Sequence, residues 1–102
     1  MTVRNDPAGQ TNTNIMKEVI KAFGDVPAAF GTLIDLDVIY SYTHLLVINS
    51  LDKDIVLKFG SNEITFQTNK DMWIDNFKFD GIIEYKYKSA APTAGSLQII
   101  CY

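Results

Sequence analysis

Apolar and polar residues alternate along most of this chain with a period of two, the spacing that turns one side of a β-strand toward a core and the other toward water. Thr32 to Tyr42 sets Ile34, Leu36, Val38, Tyr40 and Tyr42 against Leu33, Asp35, Asp37, Ile39 and Ser41. Leu45 to Ile48 is apolar throughout, as in a strand covered on both faces. Asp54 to Phe59 brings Ile55, Leu57 and Phe59 into phase, and Glu63 to Gln67 places Ile64 and Phe66 between polar neighbours. Met72 to Phe79 carries Trp73, Phe77 and Phe79 in phase, with Asp75 interrupting. Ile83, Tyr85 and Tyr87 alternate with Glu84, Lys86 and Lys88, and the last run sets Leu97, Ile99 and Cys101 opposite Gln98, Ile100 and Tyr102. Asn, Asp, Ser and Gly cluster between these runs, and they are the residues whose side chains or backbone freedom favour turns. About seven short strands punctuated in this way predict an all-β chain, an antiparallel β-sandwich of jelly-roll-like form.

The first part of the chain reads differently. Residues 1–14, MTVRNDPAGQTNTN, have almost no apolar residues and no periodicity, so they are expected to form a flexible N-terminal arm. In 15–23 the apolar residues Ile15, Met16, Val19, Ile20 and Phe23 fall in one helical arc with Lys17, Glu18 and Lys21 opposite, which predicts a short amphipathic helix capped by Gly24. The domain division is therefore an arm, 1–14, and one sandwich, 15–102.

Composition narrows the function classes. At 102 residues and 47% hydrophobic, the chain is long enough for one core and too apolar for disorder throughout. A single Cys excludes an internal disulfide or a cysteine-built zinc site. A net charge of −3, with Arg4 the only arginine, makes a poor footprint for nucleic acid, so no nucleic-acid partner is expected. No apolar run reaches the roughly 18–20 residues of a membrane helix, and the first ten residues lack a signal-peptide core. A soluble chain made in a cytosol, with no membrane partner, is the expectation.

Residues with chemistry are few. His44 stands at a strand entrance and reads as a surface or turn residue. Cys101 lies in an apolar strand and reads as a small buried hydrophobe. Asp35 with Asp37, and Asp52 with Asp54, are same-face or same-turn carboxylate pairs that fall short of the 6–8 oxygen ligands calcium takes, so solvated charge is the reading for both. No phosphate-binding glycine loop, nucleophile elbow or zinc spacing occurs. No catalytic residue, cofactor or metal is expected, and the chain is not read as an enzyme. Phe77, Phe79, Tyr85 and Tyr87 are the right types for a base-stacking platform, but their alternation with Lys86 and Lys88 describes a core face backed by a wet one. Tyr40, Tyr42, Trp73 and Tyr102 are the candidates for exposed contact, being aromatics with a polar handle of the kind enriched at interfaces.

The stretch from Leu46 to Gly60, LVINSLDKDIVLKFG, resembles a hairpin turn in small virion proteins of tailed bacteriophages: an apolar strand ending in Asn, an Asp-containing turn, then a second hairpin strand finishing near Gly. Ala90 to Ser96, following Tyr87-Lys88 and leading into a terminal apolar strand, is similar to a second feature of those proteins. The segments Ile20 to Gly24 and Phe30 to Leu33 look like their opening. The likeness spans most of 15–102 through short motifs; it departs where Phe59 runs straight into Gly60, a tighter loop than the Phe-Asp-Gly type. In those proteins the N-terminal segment can be a strand. The resemblance implies a non-enzymatic β-sandwich of the capsid decoration or cement type, or of the neck or tail. Such a protein is made in the bacterial host cytoplasm and resident in the virion, acts as a homo-oligomer, and has the major capsid protein or other virion proteins as partners. Val3, Arg4 and Asn5 in the arm join Tyr40, Tyr42, Trp73 and Tyr102 as interface candidates. A carbohydrate- or receptor-binding module using Tyr40, Tyr42 and Trp73 is the alternative from another class.

Overall fold

The computed structural model describes residues 16–36, 42–77 and 81–102. The predicted arm and four of the interface candidates, Val3, Arg4, Asn5 and Tyr40, lie outside the described residues, as do Asp37 and Phe79. Eight strands are present among those described: β1 (Lys17–Ala22), β2 (Gly31–Leu36), β3 (His44–Asn49), β4 (Ile55–Phe59), β5 (Asn62–Phe66), β6 (Lys70–Asp75), β7 (Gly81–Tyr87) and β8 (Ser96–Cys101). They form two antiparallel sheets, one in the order β1-β8-β3-β6 and the other β2-β7-β4-β5. Consecutive strands alternate between the two four-stranded sheets except at the β4-β5 pair, which is the jelly-roll arrangement.

The alternating pattern places the core as expected. Leu45, Val47, Leu97, Ile99 and Cys101 from the first sheet meet Ile34, Leu36, Ile55, Leu57, Ile83 and Tyr85 from the second, all buried. Leu33 is buried beside Ile34, because a bulge between Thr32 and Ile34 breaks the alternation of β2.

Three expectations are corrected. The helix predicted over 15–23 is instead strand β1 across Lys17–Ala22, followed by one 3-10 turn at Phe23–Asp25. Nine residues are too few for a free-standing helix, whereas β8 offers a complete backbone ladder from Lys17↔Cys101 to Ala22↔Ser96. The stretch Leu46 to Gly60 is not a hairpin, since β3 and β4 lie in opposite sheets; β4 and β5 form the hairpin, turning at Gly60-Ser61 with Gly60 at φ 65°. Finally, Trp73 and Phe77 do not share a face. Asn76 adopts φ 56°, a left-handed conformation that Asn tolerates, and this resets the phase so that Trp73 is exposed while Phe77 is buried.

Candidate functional site

The two sheets have opposite outer surfaces. On the β2-β7-β4-β5 sheet the outward positions include Thr32, Glu84, Lys58 and Glu63 in one cross-strand row, with Lys58 and Lys86 both over the Phe30 ring. That face is mostly charged, with Ile82 its exposed apolar member.

The outward positions of the other sheet follow from its register. One row reads Glu18, Ile100, Leu46 and Trp73; the next reads Ile20, Gln98, Ile48 and Asp71; His44 pairs with Asp75 at the end of β3, beside Tyr102. Ile20 is 61% exposed and Trp73 53%, while Leu46, Ile48 and Ile100 are half-buried. Ile100, Leu46, Ile48 and Trp73 form a contiguous apolar surface over β8, β3 and β6, with Asp71 and Asp75 at its edge; on β1, Ile20 is set off from it by Gln98, whose amide donates to the Glu18 carboxylate. Leu45 to Ile48 is thus patterned for cover on both sides, and among the described residues only the Leu45 and Val47 side is covered.

At one end of this face three rings meet. His44 stacks on Tyr102 with centroids 5.1 Å apart and 11° between planes, and Trp73 meets Tyr102 nearly at right angles, 5.6 Å and 75°. Trp73 Nε1 donates to Asp75 Oδ1 at 2.6 Å, so the indole is held by the carboxylate two residues along the same strand face. His44 Nε2 lies 3.7 Å from the same oxygen, and the Thr43 hydroxyl sits 2.7 Å from His44 Nδ1. Backbone bonds fix the geometry: Thr43 and His44 both donate their N–H to Tyr102 O, and Tyr102 N–H returns a bond to His44 O. The arrangement offers flat apolar surface with a carboxylate at its edge, which suits binding rather than bond-making.

Of the sequence candidates, Trp73 and Tyr102 come together here. Tyr42 does not: it is 6% exposed and belongs to the core, so it is corrected from contact candidate to packing residue. His44 and Asp75 went unrecognised as members of the patch. A signal existed for its apolar part, since Ile100 and Tyr102 lie opposite the core positions of their own strand.

The acidic turn has a structural occupation. Asp52 accepts from Thr93 N–H at 2.8 Å, from the Thr93 hydroxyl and from Ala94 N–H at 3.3 Å; Asp54 accepts from Thr68 N–H at 2.9 Å. The hydroxyl of Thr93, then its backbone N–H, hold the Asp52 carboxyl at about 2, below its ordinary 3.8. A carboxyl lowered by folding stabilises the fold above its unfolded value, and that contribution is lost as pH falls from about 3.8 toward 2. Asp52→Asn is therefore expected to flatten the fall of Tm between pH 4 and pH 2, read by thermal melts across that range. No group of three or more His, Cys, Asp or Glu side chains placed to hold a metal ion occurs among the described residues.

Cys101 is buried in β8, and burial pushes its thiol up to about 11. Native protein at pH 8 is expected to resist iodoacetamide and to be alkylated rapidly once unfolded in urea, as counted by intact mass. An open groove of about 500 Å³ between the ends of β5 and β6, lined by Phe66, Lys70, Asp71, Met72 and Lys88, gathers no catalytic set.

Comparison with protein-family models, with curated proteins and with solved structures returns no match to this chain.

Proposed function

We propose that this chain is a non-enzymatic bacteriophage virion structural protein of the capsid decoration or cement type, working as a homo-oligomer whose partners are the major capsid protein or other virion proteins. The apolar outer face of the β1-β8-β3-β6 sheet carries the reading. An exposed apolar patch with a polar rim marks an interaction site, and here it covers three strands of one sheet face while the opposite face is mostly charged. Two further points support it: jelly rolls recur in viral capsid proteins, a fold-level analogy, and the Leu46 to Gly60 and Ala90 to Ser96 segments resemble small phage virion proteins. The test is imaging of intact particles at a resolution that separates capsid surface from neck and tail. Density for this sandwich on the capsid lattice is the expected result; density at the neck or tail would move it to the accessory class, and absence from particles would sink the reading.

A second reading, a carbohydrate-binding module, is favoured by one observation: the Trp73 indole is held by Asp75 at right angles to Tyr102. An aromatic corner with a carboxylate at its edge can stack a pyranose and accept a hydroxyl. Glycan binding abolished by Trp73→Ala would establish it, and a silent glycan array would remove it.

A further inference from the structure

Three features define what the apolar sheet face can accept. The first is area. Four strands at about 4.8 Å spacing and six residues at about 3.3 Å give a plan of about 400 Å², half of the roughly 800 Å² per partner in a stable interface. Flat stacking on an equal face falls short, so the occupant must reach beyond the sheet. The second is charge. Among the described outward positions of this sheet the charged residues are Glu18, Asp71 and Asp75, all acidic, and Asp75 sits at the ring cluster of Trp73, Tyr102 and His44. Aromatic faces beside a carboxylate suit a guanidinium, which stacks on rings and pairs with carboxylates in one planar group.

The third feature is where the chain leaves the sandwich. Register β1–β8 begins at Lys17↔Cys101, so one residue earlier Met16 stands next to Tyr102 at the ring-cluster end of the face, 59% exposed. Fifteen residues precede it, and they hold the only arginine, Arg4, next to Val3. Trp73, three strand spacings from β1, is about 14 Å away, a span of four or five residues of chain. Arg4 is twelve residues from Met16, with a reach of up to about 40 Å. The tether is thus long enough to reach a neighbouring copy, and the residues that would have to cross its own face first after Ile15, Asn14 to Gln10, offer nothing apolar to lay on it.

We propose that the outer face of the β1-β8-β3-β6 sheet receives the N-terminal segment of a neighbouring copy, with Arg4 seated on the Trp73 and Tyr102 rings and paired to Asp75, and Val3 against Leu46 and Ile100. The proposal rests on the homo-oligomer part of the functional reading and gives that oligomer its contact.

Trp73 is the only tryptophan, so its emission reports this face directly. The experiment follows sedimentation-derived mass and Trp73 emission together through a dilution series of the full chain, for the wild type, Arg4→Ala and a control, Lys21→Ala. The wild type is expected to lose mass and shift to the red at the same concentration. Arg4→Ala is expected to need at least tenfold more protein for both changes, with Lys21→Ala unchanged. Wild-type assembly by Arg4→Ala overturns the proposal, and so does a monomeric wild type or an emission that stays fixed while mass changes. Blue emission that is independent of concentration and lost in Arg4→Ala also overturns it, by placing the segment on its own chain. The virion assignment fails separately, through absence from particles.

Discussion

Asn49→Ala is expected to cost about 3–5 kcal/mol of unfolding free energy, a large share of the roughly 5–15 kcal/mol of a domain this size. Asn49 ends β3 in one sheet, is 1% exposed, and is the buried polar residue among otherwise apolar core positions described. Its two amide hydrogens go to Phe66 O and Gln67 O, each at 3.1 Å, at the end of β5 in the opposite sheet; Lys53 O at 3.4 Å is a weaker third acceptor. Its Oδ1 accepts from Leu51 N–H at 3.1 Å. One side chain of the first sheet thus satisfies backbone groups at the end of β5 in the second sheet and in the loop between β3 and β4, and removing it strands buried donors and acceptors, each worth about 1–3 kcal/mol. Asn49→Asp keeps the shape and the Leu51 bond but aims a carboxylate oxygen at two carbonyls. That carboxyl would bind its proton more tightly folded than unfolded, so the deficit should shrink as pH falls from 7 toward 4.5. Urea denaturation at the two pH values measures both effects. An Asn49→Ala protein within 1 kcal/mol of wild type would show that water replaces the side chain at no cost.

Gly95→Ala is expected to be comparably severe, about 3–5 kcal/mol, with Tm falling by at least about 12 °C. Gly95 has φ +93°, where L-residues are strained, and a Cβ there would collide with the Ser50 carbonyl oxygen and lie 2.9 Å from Ser50 C and 3.0 Å from Leu51 Cα. Those neighbours are backbone and cannot swing aside. They are also tied down, by Ser50 N–H to Ser96 O at 2.9 Å, Asp52 N–H to Ala94 O at 3.2 Å and the Asp52 carboxylate bonds to Thr93. Gly24→Ala is the matched control: nothing stands within 4 Å of its Cβ, and a change within about 0.5 kcal/mol is expected. Asn49 and Gly95 stand where the loop between β3 and β4 meets the segment leading into β8 at one end of the sandwich.

The binding-site predictions depend on a different kind of residue. Trp73, Ile20 and Met16 are exposed, so changing them should leave the fold intact while altering what the sheet face holds. The stability predictions, at Asn49 and Gly95, and the proposed association, at Arg4 and Trp73, are therefore tested by separate substitutions.

Local chemistry determined seven of the strands, their turns and most of the core, because period-two alternation and turn-forming residues act over a few positions and need no partner to be read. It also marked Trp73 and Tyr102 as exposed and Cys101 as buried. Tertiary structure decided the rest. Whether 17–22 became helix or strand depended on β8 presenting an open ladder, and the fate of Tyr42 depended on the core into which it folded. Asp52 and Asn49 carry turn chemistry that any turn would share; only the approach of Thr93 and of β5 made them anchors. The aromatic cluster joins His44, Trp73 and Tyr102, each 29 residues from the next, because β6, β3 and β8 lie side by side. Alternation tells which residues share a side of one strand. Which strands become neighbours, and hence which outward residues merge into one apolar face, is set by the order β1-β8-β3-β6 and by nothing local to any of them.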